Sequence, residues 1–166
     1  MAKAASIAPI CASCDGPARL TNGLEIYPHR RDLHERNIWK CDRCGGYVGC
    51  HGNTTRALGT PANAQLRNAR IHLHNQMVDP LWKTADQIGL YEPENKRARE
   101  IIRKAARNRV YAYLAHELGI GRDQCHVAMF DIDQCRKAWV ILRGITYADV
   151  RAWWKTQDAD TGKVAA

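Results

Sequence analysis

Seven cysteines stand in the 166-residue chain, and four of them are spaced to grip one ion. Cys11-Ala-Ser-Cys14 and Cys41-Asp-Arg-Cys44 are two CxxC pairs with 26 residues between them. One tight turn can hold such a pair of thiolates, and two turns complete a tetrahedral shell of four sulfurs, the closed coordination of structural zinc. Iron in the same shell is the alternative, and a redox role is disfavoured because the pairs occur together. A closed shell leaves no position for a substrate. The expectation is therefore one structural Zn2+ on Cys11, Cys14, Cys41 and Cys44, stabilising a segment too short to bury a core of its own. Cys50-His51, Cys125-His126 and Cys135 could make a second metal site if the fold gathered them. The plainer reading is buried thiols beside histidines satisfied by the backbone.

Cations form the second chemical signal. Around the cysteine pairs, Arg30, Arg31 and Arg43 are interleaved with Trp39 and Tyr47, a mixture that suits phosphate contact combined with base stacking. The alternative packs Trp39 against the metal turns and leaves the arginines as a solvated face. Seven basic residues then fall between Lys96 and Arg109, against Glu100 alone. On a helix at about 100° per residue, Lys96, Arg97, Arg99, Arg103, Lys104 and Arg107 share one broad face. Ala98, Ile101, Ile102, Ala105 and Ala112 fall opposite. Such a face can be merely solvated, can neutralise phosphates, or can dock on an acidic protein.

Catalytic signatures are sparse. The chain has no phosphate-binding GxxxxGK[ST] loop, GxSxG, HExxH or GxGxxG. His29, His34, His51 and His74 with Asn37 and Asp79 could build a metal-dependent nuclease site, but they lack a recognisable spacing and fall on mixed elements. The enzyme reading is weaker than phosphate contact or docking on a protein.

The elements that must position these residues can be placed from pattern. Leu24–Tyr27 and Ile38–Lys40 alternate like strands between the two CxxC turns, and Tyr47–Cys50 follows as a third. Gly16 and Gly45 sit where each turn can need a positive φ. Thr60-Pro61 suits a helix start, with Asp79-Pro80 as its end. His72 and His74 lie two apart, so a helix would not aim them at one metal. Lys96 to Leu118 reads as one long helix, basic and outward in its first half and buried in its second. Cys125 to Phe130 reads as a buried extended piece. Asp131-x-x-Gln134 and Thr146-x-x-Asp149 open two further helices, the first stopping at Gly144 and the second carrying Trp153 and Trp154. The fold class is thus α+β: a zinc-ribbon-like β module over 9–60, a helical connector over 61–95, and a basic helical region over 96–157. Residues 1–8 and 158–166 read as disordered.

These motifs in order resemble a family of uncharacterised zinc-finger-containing proteins of phages and prophages. The residues that carry the resemblance are the CxxC pairs, Trp39-x-Cys41, Tyr47-Val-Gly-Cys-His51, Leu58-Gly-Thr60 and Ala62-x-Ala64-x-Leu66-Arg67. Ala69-Arg70, His74, Asp79-Pro-Leu-Trp82, Leu114-Ala115 and Leu118-Gly-Ile120 continue it, as do Cys125-His126, Met129-Phe-Asp131 and Cys135-Arg136. The likeness spans about Cys11 to Val140, and Lys96–Arg109 and the end from Gly144 fall outside the pattern. It implies a small accessory protein of a mobile element with a metal-stabilised N-terminal module, and it names no reaction.

Composition fits that reading. The formal charge is +8, with fourteen Lys/Arg against eight Asp/Glu after Asn95, which favours an anionic partner over acidic or DNA-mimic roles. No apolar run approaches the roughly 18 residues a membrane span needs. The first ten residues lack the pattern of a secretory signal, so the cysteines are expected in the reducing cytoplasm, the host's if the protein is phage-encoded. The function expected is nucleic-acid binding through the ribbon and the basic helix. The alternative is a phage-encoded inhibitor that occupies an acidic surface of a host complex, such as a defence or nucleic-acid-processing machine.

Overall fold

The structure, a computed structural model, describes residues 7–161. They cluster into two compact units, residues 7–70 with 128–132 and residues 71–127 with 133–161. The division after residue 70 falls inside a helix. No helix among the described residues is long and apolar enough to cross a membrane.

The first unit is built on a three-stranded antiparallel sheet, β1 (Arg19–Asn22), β2 (Asn37–Lys40) and β3 (Tyr47–Gly49), in that order. Trp39 pairs with Leu20 on one side and Val48 on the other. Consecutive strand residues point to opposite faces, and Ile38 and Trp39 are both buried, so the central strand is covered on both sides. Leu24–Tyr27 is not the first strand. Asn22 accepts a hydrogen bond from the Leu24 N–H and starts a one-turn helix, α1 (Gly23–Ile26), because a short apolar alternation cannot by itself distinguish strand from helix. This turn places Glu25 between Arg19 (2.6 Å) and Lys40 (2.7 Å), an exposed clasp across β1 and β2.

Thr60-Pro61 is likewise not a helix start. The Thr60 N–H donates to the Ala128 carbonyl at 3.0 Å, Pro61 is fully buried, and Ala62 bridges to Tyr47, so the segment runs beside the sheet. Helix α2 (Ala64–Leu73) begins three residues later, where Asn63 Oδ1 accepts from the Leu66 N–H at 3.0 Å. Arg70, although charged, is buried by design of its partners: it donates to the Phe130 carbonyl, the Thr60 carbonyl and the Thr60 hydroxyl at 2.7–2.8 Å. These bonds knit residues 128–132 to the ribbon. Gly59 completes the join, since a Cβ there would lie 2.2 Å from the Ala128 oxygen.

The second unit is helical. After α2 the chain widens into a π-turn (His74–Val78) and continues directly into α3 (Asp79–Lys83). Asp79-Pro80 therefore does not end the helix. The Asp79 N–H reaches back five residues to the His74 carbonyl, and this wider turn accommodates a proline that has no N–H of its own. Helix α4 spans Lys96–Leu118, capped by Asn95 at its start and by Gly119 in the left-handed region at its end. Helices α5 (Ile132–Leu142) and α6 (Tyr147–Thr161) follow. Thr146 and Asp149 cap each other at the start of α6, as their spacing predicts.

Two further expectations fail. Cys125 to Phe130 is buried at Cys125, Val127 and Phe130, but Val127–Met129 forms a 3-10 turn instead of an extended piece. On α4 the buried line runs through Ala106, Val110, Tyr111, Leu114 and Ala115, while Ile101 from the supposed apolar face is 61% exposed. The helix packs on α3 and α6, and this packing sets its rotation in place of the weak apolar stripe. The expectation of disorder at residues 1–8 and 158–166 lies outside the described residues for 1–6 and 162–166. Within them, 158–161 complete α6.

Candidate metal centre and cationic surface

The two CxxC turns are near copies of each other. In the first, the Asp15 N–H donates to the Cys11 carbonyl and the Cys11 N–H to the Gly16 carbonyl, both at 2.9 Å. In the second, Gly45 and Gly46 take those places relative to Cys41, at 2.9 and 2.7 Å. The fifth residue of each turn is left-handed, Asp15 at φ 55° and Gly45 at φ 69°. Gly45 thus fills the role expected of it, whereas in the first turn Asp15 supplies the positive φ. Gly16 is small for another reason: a Cβ there would sit 3.1 Å from the Cys41 sulfur.

The turns bring the four sulfurs together. Cys11 Sγ lies 3.5 Å from Cys44 Sγ, Cys14 Sγ lies 3.5 Å from Cys41 Sγ, and all four are within 4.8 Å of one another. A tetrahedron with zinc–sulfur bonds of about 2.3 Å has edges of about 3.8 Å. The sulfur spacing therefore fits one zinc ion, and Cys11 and Cys41, both fully buried, close its inner side. Burial pushes the Cys11 and Cys44 thiols up from their ordinary range. At Cys41 burial acts the same way but is outweighed by the Cys44 and Arg43 N–H groups and the Cys14 side chain, and the thiol is lowered. Arg43 ties the turns together by donating to the Cys14 carbonyl at 3.0 Å. A bound zinc would supply cross-linking of the two turns and no reactive position.

Among the described residues, no other group of three or more His, Cys, Asp or Glu side chains offers metal-binding geometry. Cys50 bridges to Ala57 at the backbone, Cys125 and Cys135 are buried, and the His126 ring stacks on Tyr111 at 5.9 Å. Of the residues considered for nuclease chemistry, His34, Asn37 and His74 make local contacts, while His29 and His51 are exposed. His34 Nε2 meets the Pro28 carbonyl, and Asn37 donates to the Thr54 carbonyl. His74 Nδ1 lies 3.2 Å from Asp79, which also pairs with Lys83 and accepts from the Trp82 indole.

The cationic residues sort by partner. Trp39 is 6% exposed and donates its indole N–H to the Thr55 carbonyl at 2.8 Å, so it belongs to the core and offers no face to a base. Tyr47 has the Arg67 guanidinium 3.9 Å above its ring. Arg30 forms a double hydrogen bond with Asp32, and Arg31 is exposed. On α4, Arg103 does not point free into solvent: it binds Asp86 through two bonds at 2.7 and 3.1 Å, and the Asp86 side chain is buried. That contact holds the Asp86 carboxyl below its ordinary range, against the opposing effect of burial. Lys96, Arg97, Arg99, Lys104 and Arg107 are exposed. Arg107 lies over both Trp82 (5.6 Å) and Tyr111 (5.9 Å), and Arg122 also lies over Tyr111 at 5.2 Å. This aromatic and basic group is not legible in sequence, because Trp82, Arg107, Tyr111 and Arg122 stand on three separate stretches of chain. Leu81 is buried, but Trp82 keeps part of its ring in solvent.

A family model described as a zinc-finger-containing domain matches residues 7–145, and it runs through Lys96–Arg109, which the sequence likeness had placed outside the pattern. No curated protein and no solved structure matches the chain. With most of its length under that model and its four thiols converged as such a finger requires, the chain belongs to this family of zinc-finger-containing domains.

Proposed function

We propose that the protein binds nucleic acid through the exposed cations of α4, with Arg31 and Arg43 of the ribbon as further phosphate contacts. One observation carries the reading. Lys96, Arg97, Arg99 and Lys104 are exposed, and none is in an ion pair with another described residue, whereas Arg103 beside them is neutralised by Asp86. Uncompensated charge at this density repels itself, and phosphates relieve it with release of counterions. Trp82, flanked by Arg107, replaces Trp39 as the stacking candidate. The zinc finger acts as scaffold.

The test is the salt dependence of binding to duplex DNA and to single-stranded RNA. On B-DNA each phosphate neutralised contributes about −0.9 to the log–log slope, and on single strands about −0.7. Replacing Lys96, Arg97, Arg99 and Lys104 with serine is expected to flatten the slope by about 3.6 on duplex. An unchanged slope overturns the reading.

A second reading rests on Ile101. This residue is exposed one turn from both Arg97 and Lys104, and an apolar side chain among cations suits an acidic protein surface better than a phosphate backbone. A partner retained after nuclease treatment of a lysate, and lost in Ile101→Ser, would favour it.

A further inference from the structure

Arg109 differs from the other cations of α4. At about 100° per residue it lies about 140° around the helix from Lys96, away from the outward basic face. It is half-buried, and its Nη1 donates to the hydroxyls of Tyr147 at 3.0 Å and Tyr91 at 3.2 Å. The two hydroxyls are 3.3 Å apart. Arg151 lays its guanidinium over the Tyr91 ring, 4.7 Å from the centroid.

What this group lacks is an acid. Neither arginine is in an ion pair with a carboxylate among the described residues, and the neighbours that support the Arg109 charge against burial are the two phenols. Asp149, on the same turn of α6 as Arg151, is committed to the Thr146 cap. Two guanidinium groups about one aromatic ring, partly withdrawn from water, repel each other and pay desolvation without a counter-charge.

Donor capacity is also left over. A guanidinium has five N–H donors, and the two on Nη1 of Arg109 are used by the phenols. Those on Nε and Nη2 have no protein acceptor among the described residues. None of them is a sealed, unsatisfied atom, since the buried polar atoms without a partner are Tyr111 Oη and Trp153 Nε1. The donors therefore face space that a ligand can reach. Of the two phenolic protons, one serves the Tyr91–Tyr147 bond and the other is free to be donated.

The geometry points to an oxyanion site at which Arg109, Arg151 and the paired hydroxyls of Tyr91 and Tyr147 hold a phosphate group. A guanidinium edge, a second guanidinium and a phenol offer more donors than the two oxygens of a carboxylate use, and they suit the several oxygens of a phosphate. A free phosphate and the phosphate of a nucleotide share this chemistry, and the site stands whether or not the outward face of α4 binds nucleic acid.

Its test is a titration of the full chain, labelled with nitrogen-15, followed at the arginine Nε–H signals. The probes are inorganic phosphate, adenosine 5′-monophosphate and adenosine. Saturable shifts of Arg109 and Arg151 are expected with the first two and not with adenosine. Tighter binding of the monophosphate than of phosphate assigns the site to nucleotides, and equal binding assigns it to the free ion. Arg109→Lys and Arg151→Gln should each weaken binding at least tenfold. Arg151→Gln matters most, because Arg151 only stacks and its loss leaves the Tyr–Arg–Tyr contacts in place. Absence of saturable shifts, unaltered affinity in both variants, or loss of binding only when the four outward cations of α4 are replaced would overturn the proposal.

Discussion

At the residue scale the four zinc-site thiols are not equivalent to the three others. Cys41 is buried, its sulfur lies against Cys14, and its thiol is the one of the four at which hydrogen bonds outweigh burial and lower it. Cys41→Ser is expected to abolish the single zinc per chain, measured by elemental analysis. Cys135→Ser, on α5 and outside the sulfur cluster, is expected to leave zinc content unchanged. The second residue-scale prediction concerns Asp86. Its carboxyl is lowered by Arg103, so the contact contributes stability above the ordinary carboxylate pKa of about 4 and loses it as pH falls through the lower folded value. Asp86→Asn should therefore lower the melting temperature by several degrees at neutral pH, with the difference from the parent chain closing below about pH 4. A difference that persists in acid would assign the effect to packing instead of charge.

At the scale of elements, signals that reside within a few residues of chain could be read directly. The CxxC turns, the bounds of α4, the reciprocal cap of α6 and the stop at Gly144 depend on bonds between residues three to five apart, and the structure has each of them. Asn95 is part of this local code. Its side chain accepts the Ala98 N–H at 2.9 Å, and Asn95→Ala is expected to cost about 1 kcal/mol, read as a lower urea midpoint at constant slope. Three elements are decided by groups outside the motif that suggests them, one by distant partners and two by neighbours along the chain. Thr60-Pro61 looks like a helix start until Ala128 and Tyr47 claim the same backbone. Asp79-Pro80 looks like a helix end until a π-turn absorbs the proline. Leu24–Tyr27 has the alternation of a strand, but Asn22 caps it into a helical turn.

At the scale of the whole molecule, the four ligand sulfurs lie in the first unit and α4 to α6 in the second, apart from Ile132 at the start of α5. Structural zinc contributes roughly 10–16 kcal/mol apparent in small zinc-dependent peptides, more than a sheet of this size supplies alone. Chelation is expected to release one zinc and to shift the fluorescence of Trp39, whose indole is held in the ribbon core. Most of the helical far-ultraviolet signal should persist. Loss of both signals in a single step would mean that the helical unit depends on the metal for its fold.

The sequence by itself determined the metal site, the α+β class and the place of the longest helix, because each rests on residue type and near spacing. It also showed where positive charge accumulates. Only the tertiary structure decided which charges remain available: Asp86 reaches Arg103 from seventeen residues away, and Tyr91 and Tyr147 meet Arg109 from opposite directions along the chain. It removed Trp39 from the surface and exposed Ile101 and part of Trp82. Burial and ion pairing are properties of neighbours in space, and a pattern along the chain fixes those neighbours only where they are also neighbours in sequence.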